Sequence, residues 1–126
     1  MNIWIDGSPA LRQNQHGRIS IVYENGRTCV AEVGNCTSNE AEYLALIEAL
    51  KSCNNGDIIN TDSQLLVGQL TKGWKVKAEN LKEYYKQAKE LLEQKKGCKL
   101  VLVNRINNRA GKLMQNMTGY RHVRYT

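Results

Sequence analysis

The chain has 126 residues, 41% of them hydrophobic, about the size of one domain, and no apolar run approaches the ~20 residues of a membrane helix. Its formal charge of +6 is uneven: from residue 95 onward there are eight Lys or Arg and no acidic residue, which suits a polyanionic partner such as nucleic acid. Cys29, Cys36, Cys53 and Cys98 form no Cys-x-x-Cys pair, and with only two histidines they exclude the usual zinc and redox motifs, so reduced thiols are expected.

Met1 leads straight into Asn2-Ile3-Trp4-Ile5, a strand-like segment without the basic start and long apolar stretch of a secretory signal. A single domain over 1–126, acting in the cytoplasm as a monomer with no membrane partner, is the expectation. Asp6-Gly7-Ser8-Pro9 should end the first strand as a turn. Arg18 to Tyr23 and Arg27 to Val33 flank Asn25-Gly26, the dipeptide suited to a two-residue type I′ hairpin turn. The first three strands therefore form an antiparallel meander. Glu40 to Cys53 carries apolar residues over most of a helix circumference, so that helix should be packed deeply, and Asn54-Asn55-Gly56 closes it.

Asp57 to Thr61 is the fourth strand. Reached through a helix, it should pair in parallel with the first strand by a right-handed crossover. Ser63 to Leu70 reads as a short helix, and the basic connector from Lys72 to Lys77 includes Trp74 and Lys75. Leu81, Tyr84, Tyr85, Ala88, Leu91 and Leu92 fall at helical spacing, with charged residues on the other face. Lys99 to Val103 is the fifth strand and Asn107 to Met117 the last helix.

Asp6 and Asp62 each follow a strand expected to be central, and Glu42 lies near the start of the long helix. Each has an ordinary structural alternative. Asp6 suits an Asp-Gly turn, Asp62 a cap for the helix that begins at Ser63, and Glu42 a capping box with Asn39 as N-cap. One topology nevertheless brings all three to the same sheet edge, and clustered carboxylates with room for water and phosphate suit Mg²⁺ or Mn²⁺. Two such ions about 3.5–4 Å apart are the usual machinery for hydrolysing a phosphodiester.

Five stretches then carry a resemblance: Ile5-Asp6-Gly7-Ser8, Thr37 to Tyr43, Asn60 to Gln64, Gly73-Trp74-Lys75, and Val103 to Ala110. In this order and spacing the chain resembles the ribonuclease H type 1 family, in its compact form without a basic protrusion. The resemblance implies an α/β, RNase H-like fold: a five-stranded mixed sheet, three antiparallel strands then two parallel, with helices on both faces. It also implies a metal-dependent endonuclease that hydrolyses the RNA strand of RNA/DNA hybrids, with Asp6, Glu42 and Asp62 as catalytic metal ligands and two ions, Mg²⁺ or Mn²⁺, bound with substrate. Gly7, Ser8, Ser38, Asn39 and Gln64 would meet the RNA strand, and Thr37 a DNA phosphate. Trp74 and Lys75, with Lys72 and Lys77, would track the second strand.

Gly111 stands where the family carries a fourth carboxylate. No acidic residue follows Glu93, and Asn107, Asn108 or His122 could compensate only through tertiary geometry. Three readings stay open: a weakened enzyme that works better with Mn²⁺, one that recruits another ligand or water, and a non-catalytic domain that binds hybrids.

Overall fold

The computed structural model describes residues 1–9 and 16–116. His122 and the expected helix end at Met117 lie outside the described residues. Five strands, β1 (Asn2–Ser8), β2 (Gly17–Tyr23), β3 (Thr28–Val33), β4 (Ile58–Thr61) and β5 (Lys99–Leu102), form one mixed sheet in the order β3-β2-β1-β4-β5. β1, β2 and β3 are antiparallel neighbours, while β4 pairs in parallel with both β1 and β5. Helices α1 (Ser38–Ser52), α2 (Gln64–Thr71) and α3 (Glu79–Gln94) are followed by a 3₁₀ turn (Arg105–Asn107) and by α4, described over 109–116. The sheet and its helices on both faces are those expected from the resemblance.

Strand alternation decides what each face holds. Ile3 and Ile5 point to the α1 side and are almost wholly buried. Trp4, Asp6 and Ser8 point the other way, where α4 lies: the Arg109 guanidinium stacks 4.2 Å from the Trp4 ring, and the buried Ser20 hydroxyl donates to the Ala110 carbonyl at 2.7 Å. α1 is buried nearly all round because β1 and β2 lie against one side of it and α3 against another. Tyr43 on α1 donates its hydroxyl proton to Gln69 on α2 in the interior, joining two elements through polar atoms that each need a partner there.

Several local expectations are corrected. β1 does not end at Ile5; it runs through Gly7 and Ser8, which pair with Ile19 and Arg18, so Asp6 sits inside a strand rather than in a turn. The hairpin register puts Val22 opposite Thr28, which leaves a loop longer than two residues. Its turn closes from the Gly26 N–H to the Tyr23 carbonyl at 2.9 Å, with Gly26 at φ 93°, where glycine's freedom is needed. α1 starts earlier than expected, because Thr37 is the N-cap. Its hydroxyl accepts from the Glu40 N–H while the Glu40 carboxylate accepts from the Thr37 N–H, a complete capping box. Neither Asn39 nor Glu42 takes part in it. At the other end, the chain from Arg105 to Asn107 is a 3₁₀ turn, and β5 stops at Leu102.

Candidate metal centre and nucleic-acid face

Strand register brings the two aspartates together. Trp4 lies opposite Asn60 in the parallel β1–β4 pair, and Asp6 and Asp62 are each two residues further on, at the same end of the sheet. Ser63, not Asp62, caps α2, its hydroxyl accepting from the Leu66 N–H at 3.2 Å. The capping alternative for Asp62 is thereby removed.

Glu42 arrives from the opposite face, and Gly7 permits the approach. A Cβ at Gly7 would stand 2.4 Å from the Ala41 carbonyl carbon and 2.6 Å from the Glu42 nitrogen, so only glycine lets β1 and α1 touch backbone to backbone. The Gly7 N–H donates to Glu42 Oε1 and fixes that carboxyl against the sheet edge. One oxygen from each of Asp6, Glu42 and Asp62 lies within 4.8 Å of the others. Such an all-oxygen set at the mouth of a groove fits a hard divalent cation.

The electrostatics carry the mark of that crowding. Asp6 and Glu42 are only 2% and 6% exposed. Burial first, and then the Asp6 and Asp62 charges, push the Glu42 carboxyl up to about 9. Burial and the Asp62 charge also raise Asp6, to about 6, although the Arg105 guanidinium and hydrogen bonds from Glu42 and the Gly7 N–H pull it back. The crowding therefore favours a shared proton on the Asp6–Glu42 pair toward neutral pH, with Glu42 the more strongly raised of the two. A cation among the three would favour their ionised forms.

Arg105, not anticipated from the sequence, and Asn108, one of the residues named there as able to compensate through tertiary geometry, complete the centre. Arg105 Nη1 lies 3.3 Å from Asp62 Oδ2 and 3.8 Å from Asp6 Oδ1, spanning the two aspartates. Asn108 is fully buried and uses both ends of its amide. Its nitrogen donates to Asp62 Oδ2 at 2.9 Å and to the Ile5 carbonyl at 3.0 Å, while its oxygen accepts from the N–H groups of Ala110 (3.1 Å) and Gly111 (3.4 Å). One side chain thus caps α4 and holds both Asp62 and the β1 backbone at Ile5, one residue before Asp6. The sequence carried a local signal for the cap, an Asn just before an apolar helical run. Nothing local signalled its bond to Asp62 or the position of Arg105.

Gly111 faces the same centre. A Cβ there would lie 3.8 Å from Asp6 Oδ2 and no closer than 3.7 Å to the Asn108 side chain, so a larger residue has room beside Asp6.

The residues expected to meet substrate divide into groups. Gly7, Ser8 and Ser38 join Asp6, Arg105 and Met114 in lining a groove of about 340 Å³. Thr37 and Asn39 are exposed at the start of α1, next to Ser38, and Gln64 is exposed at the start of α2. Trp74 and Lys75 do not line the groove; they are exposed on the chain between α2 and α3. The Trp74 ring lies directly over Gly68, where a Cβ would stand 2.1 Å from it, and the Trp74 N–H donates to the Gly68 carbonyl at 3.0 Å. The indole is 48% exposed, a held but open surface rather than a core aromatic.

A family model described as "Reverse transcriptase-like" matches residues 5–118, which spans all three carboxylates and Gly111. The chain belongs to the ribonuclease H type 1 family. Among curated members, Ribonuclease HI of Halobacterium salinarum is 41% identical over 76 residues, covering 57% of this chain and 36% of that protein. The chain thus matches about a third of that relative's length. The crystal structure of RNase H1 from the same archaeon superposes with a TM-score of 0.74 at 28% identity, over 86% of this chain and 89% of that one. LC11-RNase H1, solved in complex with an RNA/DNA hybrid, gives a TM-score of 0.71 at 28% identity, over 86% and 88% of the two chains. These ribonuclease H relatives share the sheet that sets the Asp6 and Asp62 positions.

Proposed function

We propose that this protein is a metal-dependent endonuclease that hydrolyses the RNA strand of RNA/DNA hybrids, using Asp6, Glu42 and Asp62 as ligands for Mg²⁺ or Mn²⁺. The observation that carries the reading is the convergence of three carboxylates from β1, α1 and the end of β4 within 4.8 Å beside an open groove. A divalent ion pair bound there would activate water and stabilise the leaving oxygen of the cleaved phosphodiester. A single domain working as a monomer in the cytoplasm is part of the same reading.

The protein's own groups prepare that chemistry. Asn108 holds Asp62 by one oxygen, and the Gly7 N–H holds Glu42, so two of the three ligands are oriented before any ion arrives. Arg105, more than half exposed and facing the groove, offers a guanidinium to a phosphate at the point where Asp6 and Asp62 would otherwise repel it. Ser8 and Ser38 place hydroxyls along the groove, where the 2′-hydroxyls that distinguish RNA from DNA can be bonded. Thr37 Oγ1 accepts from the Glu40 N–H, and its hydroxyl proton remains available for a DNA phosphate. Trp74, Lys75, Lys72 and Lys77 offer a stacking surface and charge to the second strand. Gly111 leaves one corner of the centre without a carboxylate, so weaker ion binding and a gain with Mn²⁺ are expected.

The test is cleavage of an end-labelled hybrid by the purified protein, Asp62→Asn and Gly111→Asp, each in Mg²⁺ and in Mn²⁺. Cutting confined to the RNA strand, abolished in Asp62→Asn and raised in Gly111→Asp, is the expected pattern. Absence of cleavage with either ion, or cleavage that survives Asp62→Asn, would refute the proposal. Salt-sensitive hybrid binding without turnover would instead identify a non-catalytic hybrid-binding module.

A further inference from the structure

The sheet has a second cluster of reactive side chains at the end opposite the carboxylates. Cys53 is the residue after α1 and Cys98 the residue before β5; 45 positions apart in the chain, their sulfur atoms lie 3.6 Å apart. We propose that Cys53 and Cys98 are a dithiol that closes to a disulfide under oxidising conditions, stapling the end of α1 to the entry of β5.

The backbone around the pair is already in place. The Gly56 N–H donates to the Lys96 carbonyl at 2.9 Å, the Lys99 N–H to the Asp57 carbonyl at 3.2 Å, and Lys95 Nζ to the Cys53 carbonyl at 2.8 Å. The Cys98 thiol itself donates to the Asn54 carbonyl at 3.1 Å. A disulfide bond measures ~2.05 Å, so the sulfurs need close by only about 1.5 Å from the 3.6 Å observed.

The two thiols are not equivalent. Cys98 is half-buried and lines an open groove of about 390 Å³ together with Lys89, Lys99 and Glu93, where a small disulfide such as glutathione disulfide can reach it. Cys53 is 4% exposed, and burial pushes its thiol up to about 11, so it waits behind Cys98. Exchange proceeds in two displacements. The Cys98 thiolate attacks one sulfur of glutathione disulfide and expels one glutathione thiolate; the Cys53 thiolate then attacks Cys98 Sγ and expels the second. Two protein thiols lose two protons and two electrons, and one glutathione disulfide becomes two glutathione thiols.

Closure constrains a long loop of the unfolded chain, so the oxidised form should melt roughly 5–15 °C higher. The reduced protein is equilibrated with glutathione disulfide, quenched with acid, alkylated and peptide-mapped, with melting followed in parallel. A Cys53–Cys98 cross-link, alkylated Cys29 and Cys36, and a raised Tm that dithiothreitol reverses are expected. Cys98→Ser, at the more exposed position, should lose both the link and the Tm rise; Cys29→Ser with Cys36→Ser should keep both. A link through Cys29 or Cys36, glutathione adducts without a 53–98 link, or a Tm unchanged by closure would overturn the proposal.

Discussion

Replacing Glu42 by Gln should stabilise the metal-free protein, and the size of the gain should follow pH. The Glu42 carboxyl is raised from its ordinary 4.5 to about 9 by burial and by the Asp6 and Asp62 charges. Below pH 4.5 it is protonated in both folded and unfolded chains, and the two states gain equally. Between 4.5 and 9 the unfolded chain ionises Glu42 freely while the folded chain holds the proton, so stability is lost as pH rises, at about 1.4 kcal/mol per pH unit. By pH 7 the loss is about 3 kcal/mol, and it levels off above pH 9. Gln cannot ionise, and its amide oxygen can still accept from the Gly7 N–H. Urea unfolding in EDTA should therefore show Glu42→Gln and the natural protein alike near pH 4.5, with the variant about 3 kcal/mol more stable at pH 7. Added Mg²⁺ should stabilise the natural protein more than the variant, because Gln offers the ion no charge. An equal stability at pH 7, or a difference that does not change with pH, would refute the assignment of Glu42 as the strained carboxyl.

Gly7→Ala forces a Cβ into the backbone of α1 and should cost roughly 2–4 kcal/mol by urea unfolding, with weaker divalent-ion affinity by calorimetry. Asn108→Ala removes the α4 cap and the donor to Asp62; a loss of about 2–3 kcal/mol and a fall in kcat for hybrid cleavage are expected from denaturation and steady-state kinetics. Gly111→Ala meets only ordinary contacts and should raise metal-free stability by about 1 kcal/mol, whereas Gly111→Asp should forfeit that gain in EDTA through repulsion from Asp6 and recover it with Mg²⁺. Gly68→Ala drives a Cβ into the Trp74 ring; the displaced indole should show altered fluorescence and hybrid affinity should fall several-fold, worth about 1 kcal/mol.

The sheet was legible because its signals are local. Alternation in β1, the Asn25-Gly26 turn and the β-branched run before Asp62 each announce an element from neighbouring residues, and the crossover rule then puts β4 beside β1. Boundaries were less legible for the same reason. Thr37 and Asn39 are both acceptable N-caps by type, and only the reciprocal bonds between Thr37 and Glu40 choose between them.

Local pattern and topology were enough to say that three carboxylates, Asp6, Glu42 and Asp62, ride on elements that meet at one edge of the sheet, and the family resemblance marked Gly111 as a fourth position that carries none. Tertiary structure alone decided what surrounds them. Arg105 bridges the two aspartates, Asn108 ties Asp62 to the head of α4, and Gly7 admits α1 closely enough for Glu42 to arrive. Cys53 and Cys98 likewise meet only in three dimensions. The physical reason is common to all of them: hydrophobic period and turn chemistry act between near neighbours and leave a pattern in the chain. A hydrogen bond or close approach between distant residues exists only once the packed core has placed both partners.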